Sequence, residues 1–273
     1  MTTGWLTVDR RDAPLVVSFP HTGTDIPEDV RGGLVSLPLA RKDTDWWIDR
    51  LYGFVRDMGA TVVHTAISRT VIDVNRDPSG VSLYPGQATT ELCPATTFDG
   101  EPLYRPGAEP DAAVVADRRR RYFDPYHAAL SAELARLRAR HPRVVVYDCH
   151  SIRSVIPRLF DGMLPQFNIG TNSGASCDGE LTAAVEAACD ASGLTRATNG
   201  RFKGGYITRS LGDPSAGVHA IQMELACRGY MRERPGPVSP TSWPTPWDAA
   251  FAVPMTDTLG RVIEACLRFA LTR

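Results

Sequence analysis

Two periods of apolar residues alternate along the chain. Short β-rich runs read as strands: LVVSF at 15–19, ATVVHTA at 60–66, TVIDVN at 70–75, RVVVYDC at 143–149, FNIGT at 167–171 and VHAIQMEL at 218–225. Longer stretches of helical period lie between and after them, at 43–58, 111–140, 178–192 and 248–271. The second of these carries Tyr122, Tyr126, Leu130, Leu134 and Leu137 at spacings of four and three, an apolar stripe along one helix face. Strands alternating with helices predict an α/β fold: a single domain over 1–273 with a central mixed, largely parallel sheet flanked by helices.

Two segments break the pattern. Residues 77–110 turn to Pro, Gly, Thr and Ser, too long and aperiodic for an ordinary connection, and are expected to cover something. Residues 199–217 hold NGRFKGGYITRSLGDPSAG, where glycines permit close backbone approach and Arg201, Lys203 and Arg209 supply positive charge. That loop reads either as one facing an anion or as an exposed basic hairpin.

Composition narrows the function. Of 273 residues, 43% are hydrophobic, enough to bury a substantial core. With 30 basic against 31 acidic residues there is no field suited to a nucleic acid. The run Arg118 to Arg121 falls in a helical stretch and reads as a solvated face. The six cysteines form no CxxC pair and read as reduced thiols. No run approaches the roughly 18 apolar residues that a membrane span needs, and the N-terminus has no signal-peptide core. A cytoplasmic protein acting on a small molecule is expected.

Candidate chemistry sits where apolar strands end, the usual ligand position in open α/β sheets. His21 follows LVVSF and His150 follows RVVVY, so two imidazoles emerge from rigid sheet ends and can converge on one metal, although either alone is also an ordinary hydrogen-bonding residue. A catalytic zinc needs a third ligand, and Asp25, Asp43 and Asp45 are candidates. Asp43 is explained as a helix N-cap, which leaves Asp45, in the first turn, as the choice. Arg69 and Arg76 flank TVIDVN, which Asn75 ends, and the two guanidinium groups suit carboxylates or an oxyanion, or else only pair with neighbours. Glu224 interrupts an apolar strand. With Ile221, Met223 and Leu225 on the odd positions, it shares the other face with Val218, Ala220 and Gln222 and is read as pointing into a cleft.

Together these segments resemble a family. PHTGTDIP, DTDWWIDRLY, SRTVIDVNRDPSG, SLYPGQATTELCPATTFDGEPLYRPG, YDCHSIRSVIPRLFDG, FNIGTNSGASC, NGRFKGGYITR and HAIQMELACRGYM resemble, in order from about residue 14 to 232, the bacterial N-formylglutamate deformylases, which end one route of histidine degradation. That family is distantly similar to zinc carboxypeptidases, which implies a carboxypeptidase-like sheet with a metal at its strand ends. The same similarity matches Asn75-Arg76 to a carboxylate-gripping pair, His150-Ser151 to a metal histidine and Glu224-Leu225 to a general base. The carboxypeptidase HxxE departs here, since Thr24 stands where its Glu would fall, so Asp45 rests on position alone.

The resemblance implies a zinc ion held by His21 and His150 with Glu224 moving the proton; position adds Asp45 as the third ligand, and guanidinium chemistry has Arg69 steadying the oxyanion. Asn75 with Arg76 would bind one substrate carboxylate, and Arg209 or Lys203 the other. A deacylase for another N-acyl acidic amino acid, or a non-catalytic binder of acidic amino acids, are the alternatives at this point; one methylene of specificity is worth only about 1–3 kcal/mol.

Overall fold

The computed structural model describes residues 2–234, 238–239 and 241–272. The strands are β1 (Thr2–Thr3), β2 (Leu6–Asp9), β3 (Leu15–Phe19), β4 (Thr61–Thr65), β5 (Val144–Ile152), β6 (Phe167–Gly170), β7 (Arg196–Thr198) and β8 (Val218–Ala226). They form one sheet in the order β1-β2-β4-β3-β5-β8-β6-β7. The middle four, β4, β3, β5 and β8, are mutually parallel, while β2 and β6 run antiparallel to β4 and β8. The expected mixed, largely parallel sheet is therefore the one that forms.

Side chains alternate across this sheet with period two. Leu15, Val17, Phe19, Val145, Tyr147, Cys149, Ile221, Met223 and Leu225 face one core. There they pack on α3 (Ile48–Leu51), α6 (Gly179–Asp190) and α8 (Ala249–Leu271). Val16, Val144, Val146 and Ala220 face the other core, closed by Tyr126, Leu130, Leu134 and Leu137 of α5 (Asp124–Arg138). Toward the C-terminal ends of the strands the second face turns polar, with Ser18, Asp148, His150, Gln222 and Glu224 at the positions of that parity.

The helix predicted over 111–140 is interrupted. α4 (Ala112–Arg118) passes through a π-helical turn, Arg119–Phe123, before α5 begins. Pro125 explains the interruption: it has no N–H for the carbonyl four residues back, and the Asp124 N–H reaches Arg119 O instead, five residues back. Arg118 departs from the expected solvated face. It is buried and donates from Nη1 to Val71 O (3.1 Å) and Tyr104 Oη (2.9 Å), whereas Arg119 and Arg121 pair with Asp124 and Asp29.

Two other expectations are corrected. The stretch 43–58 is not one helix: Trp47 has φ 65°, and only α3 and a 3₁₀ turn, Gly53–Arg56, follow it. Asp45 therefore precedes the helix, held by its N–H donating to His21 O at 3.0 Å. TVIDVN is not a strand either, although it is fully buried as one would be. Its backbone turns, with Arg76 N donating to Asp73 O (3.2 Å) and the Asp73 carboxylate accepting from Asn75 N (2.9 Å), because its polar side chains bond locally instead of leaving a ladder free. The 77–110 connection has no helix or strand, as expected, while 199–217 contains α7 (Tyr206–Leu211). The short strands β1, β2 and β7 carry too little apolar patterning to be read from sequence.

Candidate active site

His21, just past the end of β3, and His150, near the end of β5, turn their Nδ1 atoms toward each other at 3.1 Å. Asp45 Oδ2 lies 3.7 Å from the first and 3.3 Å from the second. All three residues are at least 98% buried. The far nitrogen of each ring is held by a carboxylate, His21 Nε2 by Asp73 Oδ1 at 2.7 Å and His150 Nε2 by Asp148 Oδ2 at 2.8 Å. With Nε2–H donated outward, both Nδ1 atoms and a carboxylate oxygen face one point, which must be filled either by a metal ion or by protons on the imidazoles. Tetrahedral zinc with bonds near 2.0–2.1 Å sets neighbouring donors about 3.3 Å apart, and the three separations bracket that value. The donor set thus fits a divalent metal.

Asp45 is fixed from several sides, accepting from Ser151 N (3.0 Å) and pairing with Arg69 Nη1 (3.3 Å). Burial would raise its pKa, but hydrogen bonds from His150 and His21 outweigh burial and hold it below the usual carboxylate range. Asp73 behaves alike: burial opposes ionisation, and His21, Arg76 and Arg69 keep it well below normal. Asp43 lies outside the cluster, its carboxylate accepting from Phe98 N (2.6 Å) and pairing with Arg153 (3.2 Å), and Asp25 is exposed.

Glu224 on β8 stands opposite His150 in the β5–β8 register. It is 7% exposed, with Oε2 accepting from Gln222 Nε2 at 3.2 Å, and burial pushes its pKa up to about 7 even though His150 favours the ionised form. A carboxyl of this kind both accepts and gives a proton near neutrality.

These groups open on a cavity lined by His21, His150 and Glu224, with Arg69, Arg76 and Arg201 on its walls. Arg69 bridges Asp45 and Asp73, its Nη2 lying 2.7 Å from Asp73 Oδ2. Arg76 donates to Thr90 O (3.1 Å) and Thr90 Oγ1 (3.2 Å) and lies 3.7 Å from Asp73. Asn75 is occupied by protein groups: Nδ2 donates to Asp148 Oδ2 (3.2 Å) and Oδ1 accepts from Ile207 N (2.8 Å). Residue 205 must be glycine here, since a Cβ would stand 2.4 Å from the Asn75 amide. Of the basic loop, Arg201 reaches the cavity lining, and Lys203 and Arg209 do not. Arg209 lies over the Tyr84 ring at 5.2 Å and donates to Gly204 O.

Sequence reading passed over the supporting partners. Asp148 carries a usable signal, since two residues before His150 on a strand it must share that face. Gln222 carries the same signal, two residues before Glu224, and Asp73 carries none outside the fold.

The relatives of the chain are amidohydrolases. An N-formylglutamate deformylase of Pseudomonas putida is 49% identical over 225 residues, covering 81% of this chain and 82% of that protein. The Pseudomonas aeruginosa PAO1 deformylase is 48% identical over 234 residues, 84% and 86% of the two chains. A crystal structure of N-formylglutamate amidohydrolase from Ralstonia eutropha JMP134 superposes with TM-score 0.79 at 25% identity, over 98% of this chain and 99% of that one. An Agrobacterium tumefaciens gene product of 20% identity shares the fold at TM-score 0.68, over 96% and 95% of the two chains. Residues 13–231 match the family described as N-formylglutamate amidohydrolase, and the chain belongs to that family.

Proposed function

We propose that the chain hydrolyses N-formyl-L-glutamate to formate and L-glutamate, with one divalent metal ion held by His21, Asp45 and His150. The observation that carries this is the convergence of two Nδ1 atoms and a carboxylate beside a buried Glu224 in one cavity. Two imidazoles and a carboxylate suit zinc. When bound, such an ion supplies Lewis acidity toward the formyl oxygen and the attacking water.

The protein groups do the rest. Glu224 accepts the proton of the attacking water and returns it to the departing nitrogen, because an amide anion is too poor a leaving group to depart unprotonated. Arg69, fixed by Asp45 and Asp73, presents positive charge where negative charge grows on the formyl oxygen. Arg76 takes the substrate's α-carboxylate, and Asn75 sets the neighbouring backbone by joining Asp148 to α7. We place the reaction in histidine degradation, as the family resemblance suggests, and in the cytoplasm, a reducing compartment that suits six buried cysteines without a disulfide among the described residues.

The test is formate or amine release from formyl-glutamate, formyl-aspartate, acetyl-glutamate and a C-terminal peptide, alongside metal analysis of protein purified without chelator. Formyl-glutamate should give the highest kcat/KM, with close to one zinc per chain. Turnover of the peptide alone, or full activity without metal, would overturn the reading.

A further inference from the structure

We infer that Arg201 is the residue that selects a substrate with a side-chain carboxylate; this rests on the formyl-glutamate reading above. Three guanidinium groups line the cavity, but they are not equivalent. Arg69 is already paired with Asp45 and Asp73, and Arg76 lies 3.7 Å from Asp73. Arg201 forms no salt bridge among the described residues, and the acid that acts on it, Glu224, does so only through space. Its Nε and Nη2 donate to neutral carbonyls, Leu159 O (2.8 Å) and Ala88 O (2.9 Å), and Nη1 has no protein partner among the described residues.

The group is nonetheless held in place. Its Cζ lies over two rings, 5.6 Å from the Tyr84 centroid and 5.2 Å from that of Phe202. Tyr84 is in turn fixed, its hydroxyl donating to Gly204 O (2.9 Å) and accepting from Lys203 N (3.2 Å). A partly buried, oriented cation is repelled by a second cation, Arg76, and Glu224 offsets this only through space, so an anion entering the space the two arginines share is favoured. A preorganised fork with an open edge suits a carboxylate.

Chain length decides which carboxylate it meets. In formyl-glutamate the α-carboxylate is bonded to the carbon that bears the reacting nitrogen, and the side-chain carboxylate is two methylenes further out. Arg76 neighbours Asp73, which itself holds His21, so it serves the nearer group. Arg201, on the 199–205 loop with Phe202 and Leu159 beside it, serves the farther one, and those two apolar side chains flank the methylenes.

The experiment compares formyl-glutamate with formyl-glutamine, whose side chain is neutral, for wild type, Arg201→Gln and Arg201→Lys, with melting temperatures recorded on each preparation. Loss of one half of a buried charge pair predicts a fall of roughly 10²-fold in kcat/KM for formyl-glutamate with Arg201→Gln, mostly in KM. Formyl-glutamine turnover should stay within about threefold, so the preference collapses, and Arg201→Lys should restore part of it. Equal losses on both substrates, or an unchanged preference in a folded variant, would overturn the assignment while leaving the deformylase reading intact. Wild-type protein that releases no formate from formyl-glutamate would overturn both.

Discussion

His150 and Glu224 stand directly opposite each other across the parallel pair β5–β8, on one face of the sheet. A candidate metal ligand and a carboxyl able to exchange protons near pH 7 are thereby set on neighbouring strands, with no loop between them to loosen their geometry. Glu224→Gln keeps the shape but cannot accept a proton. Its kcat for formyl-glutamate should fall by about 10² to 10⁴-fold with zinc content and melting temperature little changed. A destabilised variant that keeps the wild-type rate per folded molecule would show Glu224 to be structural.

The metal set gives a second expectation, in which identical chemistry at neighbouring positions has different outcomes. His21→Ala, His150→Ala and Asp45→Ala should each lower zinc affinity by more than about 10²-fold and abolish turnover, because each removes one of three donors. Asp43→Ala and Asp25→Ala should retain zinc, since Asp43 is engaged by Phe98 N and Arg153 and Asp25 faces solvent. Competition against a zinc-binding dye measures all five. Retention of a full equivalent by Asp45→Ala, with loss by either other aspartate, would move the third ligand.

Stability should fall in mild acid, partly through His127. This imidazole is stacked on Phe123 at 4.3 Å, donates from Nε2 to Val74 O at 2.8 Å, and has its pKa lowered by burial, against the opposing effects of the Val74 carbonyl and Asp148. A folded-state pKa below the unfolded value of about 6.5 means that the unfolded chain binds the proton first as pH falls. The neutral ring's contribution is therefore complete above pH of about 6.5 and is lost progressively below it. His127→Gln preserves a donor without titrating, so its urea midpoint should change less than that of wild type between pH 7.5 and pH 5, values spanning about 6.5. Parallel pH dependence in the two proteins would rule the effect out.

Much of the fold was legible where hydrophobic period and length agreed. The strands at 15–19, 143–149 and 218–225 emerged within a few residues, and the even-position face of β8 followed from Ile221, Met223 and Leu225 alone. TVIDVN misled because β-branched residues are also suited to burial in an irregular segment, and only the partners of Asp73 and Asn75 distinguish the two. The cluster of His21, Asp45 and His150 could be proposed from strand ends and position. Which cation of NGRFKGGYITR reaches the cavity could not, because the short helix α7 turns Arg209 away from it, and a turn of that length leaves no periodic signal.

The parity of the central strands also sets where the chain tolerates change in length. A single residue inserted within β8 ahead of Ile221 would bring Ile221 and Met223 to the positions now held by Gln222 and Glu224, and would turn the carboxyl into the helix-covered core. The same insertion in β5 would put Tyr147 and Cys149 in place of Asp148 and His150. Both strands are therefore closed to insertions and deletions of odd length. The 77–110 connection has no such parity to keep, so length variation among descendants of this sequence is expected to accumulate there and to reshape the cavity wall while the strand-borne groups stay where they are.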